Sequence, residues 1–363
     1  MSTDSDDDSE RYSDLTNRND EIAAYLSNRR SSVRRNTWEQ LCTALRHFRD
    51  FIDERGLSPG DLNDDHADEL VNRFLQDDDM KQHTAKQYLN KISHMYDYAV
   101  RRRRSDDFED ITYNPIANAI EDVSFDNDLV TERRDVPHSA MREAVQDIGH
   151  PLLLAIVTLF LKTGVRASEL VNIDMRDVNL DHRFMREHFP ECREGLEGSP
   201  DTLYIPPKSE IDIGDVVNGE ERNDPNKRKR GTYIPIDGEL KAVMLMWLAI
   251  RPPSRSPAEP FFTLMTGGSN SIPGDRLRAE YVRTLVVDWA EEHDWWSSDA
   301  SLKTNITPHY FRHYFRTRLG DRSNNELLVK YLRGDEGDAM DDYLHYWGDN
   351  VREPYLQSIY KLF

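Results

Sequence analysis

Apolar residues in the first third of the chain recur at steps of three and four. The clearest series begins after Asn36 and consists of Trp38, Leu41, Leu45, Phe48 and Ile52. This spacing is that of an amphipathic α-helix, whose apolar face has to be buried against other elements. A second such helix is expected around 70–75, and a third follows it with Thr84 as its N-cap. We therefore predict an all-α module over residues 18–105.

Polar, acidic segments lie on either side of this module. Residues 1–17 are expected to form a disordered arm, because a segment of such composition buries too little apolar surface to fold. Residues 106–137 have the same character and are predicted to be an interdomain linker. A chain of 363 residues is long enough for two domains with separate cores. The second domain is predicted over residues 138–363.

The second domain is expected to begin with helices. An apolar run from Pro151 to Leu161 has the length of a buried core helix. Gly164 should interrupt that helix, so that Arg166 lies on a turn at the start of the next one.

Two short β-prone runs, 203–206 and 232–236, enclose a polar insert over 210–226. This pattern predicts an antiparallel hairpin with an extended loop. Phe261 and Phe262 are candidates for one more short strand. The expected fold class is mainly α with a small antiparallel β-sheet, as an all-α domain followed by an α+β domain.

A formal net charge of −20 argues at first against a nucleic-acid partner, because proteins that bind phosphates are usually basic. The basic residues are nevertheless clustered, in 29–35, 101–104 and 227–230. Each run alone is more often a solvated face than a binding site. The surplus of Asp and Glu over Lys is typical of organisms with a salt-filled cytoplasm, where net charge keeps proteins hydrated. In molar salt, counterion release contributes little to DNA affinity.

Membrane, secreted and metal-binding classes find no support in the sequence. No apolar run approaches the roughly 18 residues of a spanning helix, and the acidic N-terminus lacks the order of a signal peptide. A cytoplasmic location is therefore expected. Cys42 and Cys192 are expected to be free thiols. His182, His188 and Cys192 match no common zinc spacing, so neither a metal nor another cofactor is predicted.

Five residues of the second domain form an ordered set of candidate catalytic groups: Arg166, Lys227, His309, Arg312 and Tyr343. Taken singly, each has a more common explanation, as a capping arginine, a solvated lysine or basic helix face, or a packed tyrosine. Together they supply what cleavage of a phosphodiester requires. Two guanidiniums form forked pairs with non-bridging oxygens, and a tyrosine hydroxyl attacks phosphorus. Lysine and histidine side chains transfer protons.

Three sequence boxes resemble those of the tyrosine recombinases, also called phage-type integrases. They are Thr-Gly-Val-Arg-Ala-Ser-Glu-Leu at 163–170, His-Tyr-Phe-Arg at 309–312 after Thr307-Pro308, and Tyr-Leu-His at 343–345. The resemblance runs from about residue 18 to the end and, with the acidic composition, indicates a haloarchaeal member. It implies that 18–105 is a core-binding domain and 138–363 a catalytic domain, which form a C-shaped clamp around the duplex.

The resemblance implies site-specific recombination or integration of double-stranded DNA. Four copies of the chain would assemble on two DNA sites, and each Tyr343 would form a 3′-phosphotyrosyl link. The bond energy is kept in that link, so neither ATP nor a metal is needed. Accessory DNA-bending proteins are a candidate partner, no membrane is involved, and the expected location is the cytoplasm, at the nucleoid.

Two positions depart from the family pattern. The catalytic lysine of the hairpin is assigned to Lys227 from its spacing to the second strand, with Lys208 and Lys229 as rivals. Many members carry His or Trp where this chain has Asp335. A carboxylate would repel a scissile phosphate, so we expect Asp335 to point elsewhere, or the role to be lost.

The nucleophile is assigned to Tyr343 because His345 follows it at the family's spacing, and Tyr346, Tyr355 and Tyr360 are the alternatives. A DNA-binding protein on the same scaffold that no longer cuts, with an architectural or regulatory role, is a second interpretation of the sequence. A plain helical interaction protein is a third, and only the acidic charge supports it.

Overall fold

The structure is a computed structural model of the chain. It describes residues 12–17, 20–30, 32–33, 35–77, 80–121, 123, 125, 133–268, 271–300, 304–335 and 348–363. The backbone divides into two compact units, 1–130 and 131–363. Each unit has its own hydrophobic core.

The first unit is built from α-helices. Those described are α1 (Ser13–Thr16), α2 (Glu21–Arg30), α3 (Arg35–Arg55), α4 (Asp64–Gln76), α5 (Gln82–Arg101) and α6 (Pro115–Glu121). The series predicted to face a core, from Trp38 to Ile52, is buried along α3, which confirms that helix. Helix α4 begins after Asn63, whose side chain accepts the N–H of His66. The prediction of Thr84 as a cap is wrong, because α5 begins after Lys81.

The segment assigned to a disordered arm contributes to the first core. Tyr12 and Leu15 are buried among the helices of this unit, and the carbonyl of Tyr12 accepts the N–H of Leu15. The prediction for 1–17 is therefore wrong at 12–17, while residues 1–11 lie outside the described residues. The average polarity of residues 1–17 gave no indication that the side chains of Tyr12 and Leu15 would be buried.

The start of the predicted linker also belongs to the first unit. Phe108, Ile111 and Ile116 are buried in its core, and α6 packs against α4 and α5. The linker prediction for 106–137 is therefore too long at its beginning. These apolar residues are few, but spaced so that each reaches the core, and a count of composition does not detect such spacing.

The second unit has a buried central helix. Its described helices are α7 (His138–Gln146), α8 (Pro151–Thr163), α9 (Ala167–Val171), α10 (Arg183–His188), α11 (Gly238–Ile250), α12 (Ala279–Glu292), α13 (Pro308–Ser323), α14 (Glu326–Arg333) and α15 (Glu353–Ser358). Helix α8 is the predicted core helix and packs against α11, α12 and α13. Across the part of the chain that the structure covers, every helix is too short or too polar to span a bilayer.

A small antiparallel sheet lies beside these helices. Strands β1 (Val178–Asn179), β2 (Thr202–Ile205) and β5 (Thr232–Pro235) are ordered β1–β2–β5, with Leu203 opposite Ile234. The predicted hairpin is thus confirmed. The polar insert between its strands carries a two-stranded ribbon of β3 (Val216–Val217) and β4 (Glu220–Glu221).

The prediction of a strand at Phe261 and Phe262 is wrong. Both rings are buried, and only isolated bridges flank them within the described ranges. The carbonyl of Phe261 accepts the indole N–H of Trp247, and its N–H donates to the carbonyl of Ile173. A run of two aromatic residues indicates burial but not a strand. Here the Trp247 side chain donates the hydrogen bond that a neighbouring strand would otherwise supply.

Candidate active site

Arg166 lies where the sequence predicts it, on the turn between α8 and α9. Gly164 ends α8 with a φ of +63°, in the left-handed region that favours glycine, and a Cβ there would lie 2.4 Å from the ring of Phe315. Glu169 accepts the backbone N–H of Arg166 at 2.9 Å and its Nη1–H at 2.8 Å. This carboxylate therefore fixes both the backbone and the guanidinium of Arg166.

Glu169 is fully buried and ionised. Burial alone would raise its pKa, but Arg228 and Arg166 together hold the pKa of Glu169 below its ordinary value. The carboxylate lies 3.2 Å from Nε of Arg228 and 2.8 Å from Nη1 of Arg166. It is thus the negative charge that allows two guanidiniums to lie close together.

Arg312 connects the box at 309–312, to which it belongs, with the box at 163–170. Helix α13 begins with Pro308 at its first position, and His309 and Arg312 follow at helical spacing. Arg312 is 2% exposed, and its Nη1 donates to the carbonyl of Gly164 at 2.6 Å. Its Nη2 donates to the carbonyl of Arg333 at 2.6 Å. Burial and then Arg166 lower the pKa of Arg312 to about 10, so it remains charged at neutral pH.

His309 lies at the exposed edge of this cluster. Its Nε2 is 3.0 Å from Nε2 of His313, so in the neutral pair one nitrogen donates and the other accepts. Partial burial, followed by the positive charges of Arg133 and Arg312, lowers the pKa of His309. Burial, Arg133 and His309 lower the pKa of His313 to about 4. Both rings are therefore mainly neutral at pH 7.

Asp335 lies among the arginines, which corrects the prediction that it points elsewhere. Its Oδ1 accepts from Nη2 of Arg312 at 2.7 Å, and its Oδ2 is 2.7 Å from Nη1 of Arg333. Nη2 of Arg166 is 3.9 Å from the same Oδ1. The expectation from the sequence rested on repulsion between this carboxylate and DNA. In the chain alone, guanidiniums attract it.

Gly334 gives Asp335 this direction. Helix α14 ends at Gly334 with a φ of +65°, and the N–H of Asp335 returns to the carbonyl of Lys330 at 3.0 Å. A Cβ on Gly334 would lie 2.8 Å from the side chain of Arg228. Both the backbone angle and the close packing therefore require glycine.

Arg228 is a central residue that the sequence did not single out. It is fully buried, and its Nη1 donates to the carbonyl of Leu332 at 3.0 Å, in addition to its ion pair with Glu169. It thereby ties the neck of the hairpin to both α9 and the end of α14. Burial alternates along this segment, with Asn226 and Arg228 buried and Lys227 exposed. The run of basic residues in the sequence gives no sign of this alternation.

The candidate lysines lie at the same neck. The N–H of Lys208 donates to the carbonyl of Arg228 at 2.7 Å, so the two strand ends are adjacent. The ammonium of Lys208 is 3.5 Å from Asp212, within the insert. Lys227 and Lys229 are both exposed beside Arg228. The assignment of the catalytic lysine to Lys227 stays a prediction.

Two alternative nucleophiles are structural residues. The hydroxyl of Tyr355 donates to the carbonyl of Lys162 at 2.8 Å, and that of Tyr360 donates to the carbonyl of Leu161. Both side chains are buried, and burial raises the pKa of each well above its ordinary value. Tyr343, with His345 and Tyr346, lies outside the described residues.

Comparisons with known proteins agree with this fold. The family described as "Phage integrase SAM-like domain" matches residues 19–109. The tyrosine recombinase XerS of Streptococcus pyogenes is 24% identical over 200 residues, which are 55% of this chain and 43% of the relative. The chain thus spans less than half the length of this relative.

Solved structures share the fold over most of the chain. A Tn1549 transposon integrase in complex with transposon right end DNA is 18% identical with a TM-score of 0.60, covering 90% of this chain and 95% of that one. A lambda integrase dimer bound to a COC′ core site is 15% identical with a TM-score of 0.57, covering 89% and 93%. With the boxes at Arg166 and Arg312, these similarities show that the chain shares the fold of these integrases and is similar to tyrosine recombinases.

Proposed function

We propose that this protein is a site-specific DNA recombinase or integrase that cuts and rejoins DNA strands through a 3′-phosphotyrosyl intermediate. The observation that carries the proposal is the convergence of Arg166 and Arg312, from separate boxes, on one carboxylate of Asp335. An anion held by two guanidiniums marks a place where a phosphate would be stabilised. A phosphodiester ligand accounts for the positive charge that is gathered beside solvent at this point.

The proposed step exchanges one phosphoester for another. The hydroxyl oxygen of Tyr343 attacks phosphorus and loses its proton to His309, which is neutral because its pKa is lowered. The bond from phosphorus to the 5′-oxygen breaks, and Lys227 donates a proton to that oxygen. Arg166 and Arg312 stabilise the charge on the non-bridging oxygens in the transition state. A 5′-hydroxyl from the partner strand reverses the step and releases the tyrosine.

Double-stranded DNA is the proposed partner, and the first unit offers a surface for its backbone. A cavity of about 310 Å³ there is lined by Arg29, Lys91, His94 and Arg101 among others, so two of the basic runs meet on one face. Burial lowers the pKa of Lys91. The negative charge of a phosphate bound at this face would raise that pKa again. Phosphate contacts of this kind position a protein on a duplex.

A tetramer on two DNA sites is the proposed active assembly, with the nucleoid as the place of action. A lambda integrase tetramer bound to a Holliday junction is 15% identical with a TM-score of 0.57, covering 89% of this chain and 75% of that one. This likeness supports the assembly for our chain. We propose accessory DNA-bending proteins only where the tetramer by itself does not bring the two DNA sites together.

A nicked suicide duplex tests the proposal. The chain should be trapped as a covalent protein–DNA adduct, and Tyr343→Phe should abolish the adduct while leaving DNA binding intact. Tyr355→Phe is the matched control, because its hydroxyl is committed to a backbone carbonyl. An adduct that persists in Tyr343→Phe would reject the nucleophile, and no adduct from the unaltered chain on its own DNA site would reject the enzyme.

The second candidate is a DNA-binding protein that does not cut. The carboxylate of Asp335 favours it, because an anion already occupies the arginine cluster. This function predicts specific DNA binding without any adduct, including in Asp335→Asn. The suicide duplex therefore separates the two candidates.

A further inference from the structure

Resting on the proposed function, we propose that Arg333 is a third arginine ligand of the scissile phosphate, and that the Asp335 carboxylate holds the phosphate position until DNA displaces it. The two carboxylate oxygens stand in for two non-bridging phosphate oxygens. The sequence boxes that resemble those of the tyrosine recombinases do not include Arg333.

The geometry places Arg333 on the opposite side of the same anion from Arg312. Nη1 of Arg333 is 2.7 Å from Oδ2 of Asp335, and Nη2 of Arg312 is 2.7 Å from Oδ1. The backbone carbonyl of Arg333 accepts from Arg312, so the two residues are also joined directly. A phosphate in place of the carboxylate would meet donors from both sides.

The ordinary explanation of the ion pair between Arg333 and Asp335 would be a solvated pair that caps the end of α14. Basic residues often lie in the last turn of a helix, where they interact with its free carbonyls. The Arg333 side chain is not solvated, however, because it is only 11% exposed. Its Nε is buried without a hydrogen-bond partner in the portion of the chain that the structure describes. A buried donor without a partner is costly, and an additional acceptor, such as a phosphate oxygen, would offset that cost.

The cluster carries more positive than negative charge, so it can bind an anion that offers more acceptor oxygens than a carboxylate does. Within the described ranges, four guanidiniums (Arg166, Arg228, Arg312 and Arg333) meet two carboxylates, those of Glu169 and Asp335. Burial lowers the pKa of Arg333, which Asp335 opposes, and nearby arginines lower it further. Nη2 of Arg228 is a second buried donor without a partner among those residues. A phosphodiester offers more acceptor oxygens than one carboxylate.

The two carboxylates differ in how readily they can leave. Glu169 is completely buried and bonded to the backbone at the start of its own helix. Asp335 is 27% exposed and follows a glycine at a helix end. A rotation about the Asp335 side chain would vacate the site without moving a helix. Asp335 is therefore the displaceable anion, and Glu169 is the permanent one.

The first experiment measures single-turnover adduct formation on two suicide duplexes, one with a normal scissile phosphate and one with a neutral methylphosphonate there. Arg333→Ala should slow the normal substrate about 10²-fold, the usual cost of losing one oxyanion donor. Relative to the unaltered chain, it should slow the methylphosphonate much less, because the charge that Arg333 offsets is gone. Lys330→Ala is the control, since Lys330 lies on the same helix and is paired with Glu326.

Two results would overturn the proposal for Arg333. Equal slowing on both substrates would make it a structural residue, and no slowing on either would remove it from the site. Arg333→Lys keeps the charge but not the fork, and should fall between the unaltered chain and Arg333→Ala.

The second experiment does not depend on cleavage, so it separates this inference from failure of the proposed function. Binding of inorganic phosphate is measured by calorimetry at constant salt for the full chain and for Asp335→Asn, which keeps the shape but removes the charge. We expect Asp335→Asn to bind at least about tenfold more tightly, as removal of a competing anion allows, and Arg333→Ala in that background to lose the gain. Unchanged affinity in a folded Asp335→Asn would contradict the displaceable carboxylate.

Discussion

Two aspartates of the second unit each lie at the centre of an arginine cluster, and they differ in almost every other respect. Asp174 accepts from Nη2 of Arg222 at 2.7 Å, Nη2 of Arg276 at 2.6 Å and Nδ2 of Asn218 at 2.7 Å. It is 1% exposed. Asp335 also binds several guanidiniums, but it is 27% exposed.

The charges around the two aspartates account for the different roles that we propose for them. Near Asp174, Glu220 accepts from Arg276 at 2.6 Å, so two carboxylates meet the two arginines Arg222 and Arg276. This balanced, buried network fastens the hairpin insert to the core. The cluster at Asp335 keeps an excess of positive charge beside solvent. Burial alone therefore does not distinguish a structural arginine from a functional one, whereas charge balance and access to the anion do.

The largest expected effect is on stability at the closed network around Asp174. Asp174→Ala should lower the free energy of unfolding by about 3–5 kcal/mol, because it leaves buried guanidiniums uncompensated. The matched variant Asp335→Ala should change it by no more than about 1 kcal/mol, as for a partly exposed ion pair. Denaturant melts of both variants measure this directly. Equal losses would mean that the two aspartates have the same structural role.

The next effect is on cleavage at the open cluster around Asp335. Arg312→Lys should slow adduct formation about 10²- to 10³-fold, because lysine cannot make the forked contact that stabilises the transition state. Arg276→Lys, in the closed network, should leave the adduct rate of the folded protein within about threefold, because a broken structural ion pair lowers stability rather than the affinity for the transition state. A normal rate in Arg312→Lys would remove the transition-state argument.

A smaller effect is expected at the carboxylate that Arg166 and Arg228 share. Glu169→Gln removes a buried charge between these two guanidiniums, and should cost about 1–3 kcal/mol of unfolding free energy. It should also slow cleavage, because the guanidinium of Arg166 loses its fixed partner. A melt and a suicide-duplex assay on the same preparation measure both. Loss of stability at full cleavage rate would show that Arg166 needs no positioning by Glu169.

The smallest effect concerns the histidine pair at the edge of the open cluster. The pKa of His313 is about 4, so its ring should stay neutral at pH 7 and become charged only as the pH falls through about 4. Titration of the ring resonances by NMR measures this. Arg133→Gln removes the leading charge that lowers this pKa, so it should move the midpoint upward, towards the ordinary histidine value of about 6.5. A midpoint already at that ordinary value in the unaltered chain would contradict the described surroundings.

Local patterns predicted much of the second unit, and contacts between distant segments account for what they missed. The turn at Arg166 follows from a glycine after an apolar helix, and the hairpin follows from two β-prone runs around a polar insert. The burial of Arg228 depends on Glu169 and on the carbonyl of Leu332, which come from separate segments. A basic run gives no sign of this.

The position of Asp335 could not be predicted for a different reason. Repulsion by a phosphate acts on this carboxylate only when DNA is bound. In the chain alone, the direction of its side chain is set by Gly334 and by the attraction of Arg312 and Arg333. The charges that surround a residue before its ligand arrives therefore matter as much as the charge of the ligand.

The most direct test of the central claim is to identify the residue that carries DNA in the trapped adduct. The adduct from a nicked suicide duplex is digested with protease and nuclease, and the modified peptide is sequenced by mass spectrometry. We predict a nucleotide on the hydroxyl oxygen of Tyr343, and its loss when Arg166 and Arg312 are both replaced by lysine. A nucleotide on Tyr355 or Tyr360, or an undiminished yield from the double replacement, would contradict the assignment of this arginine cluster as the site of cleavage.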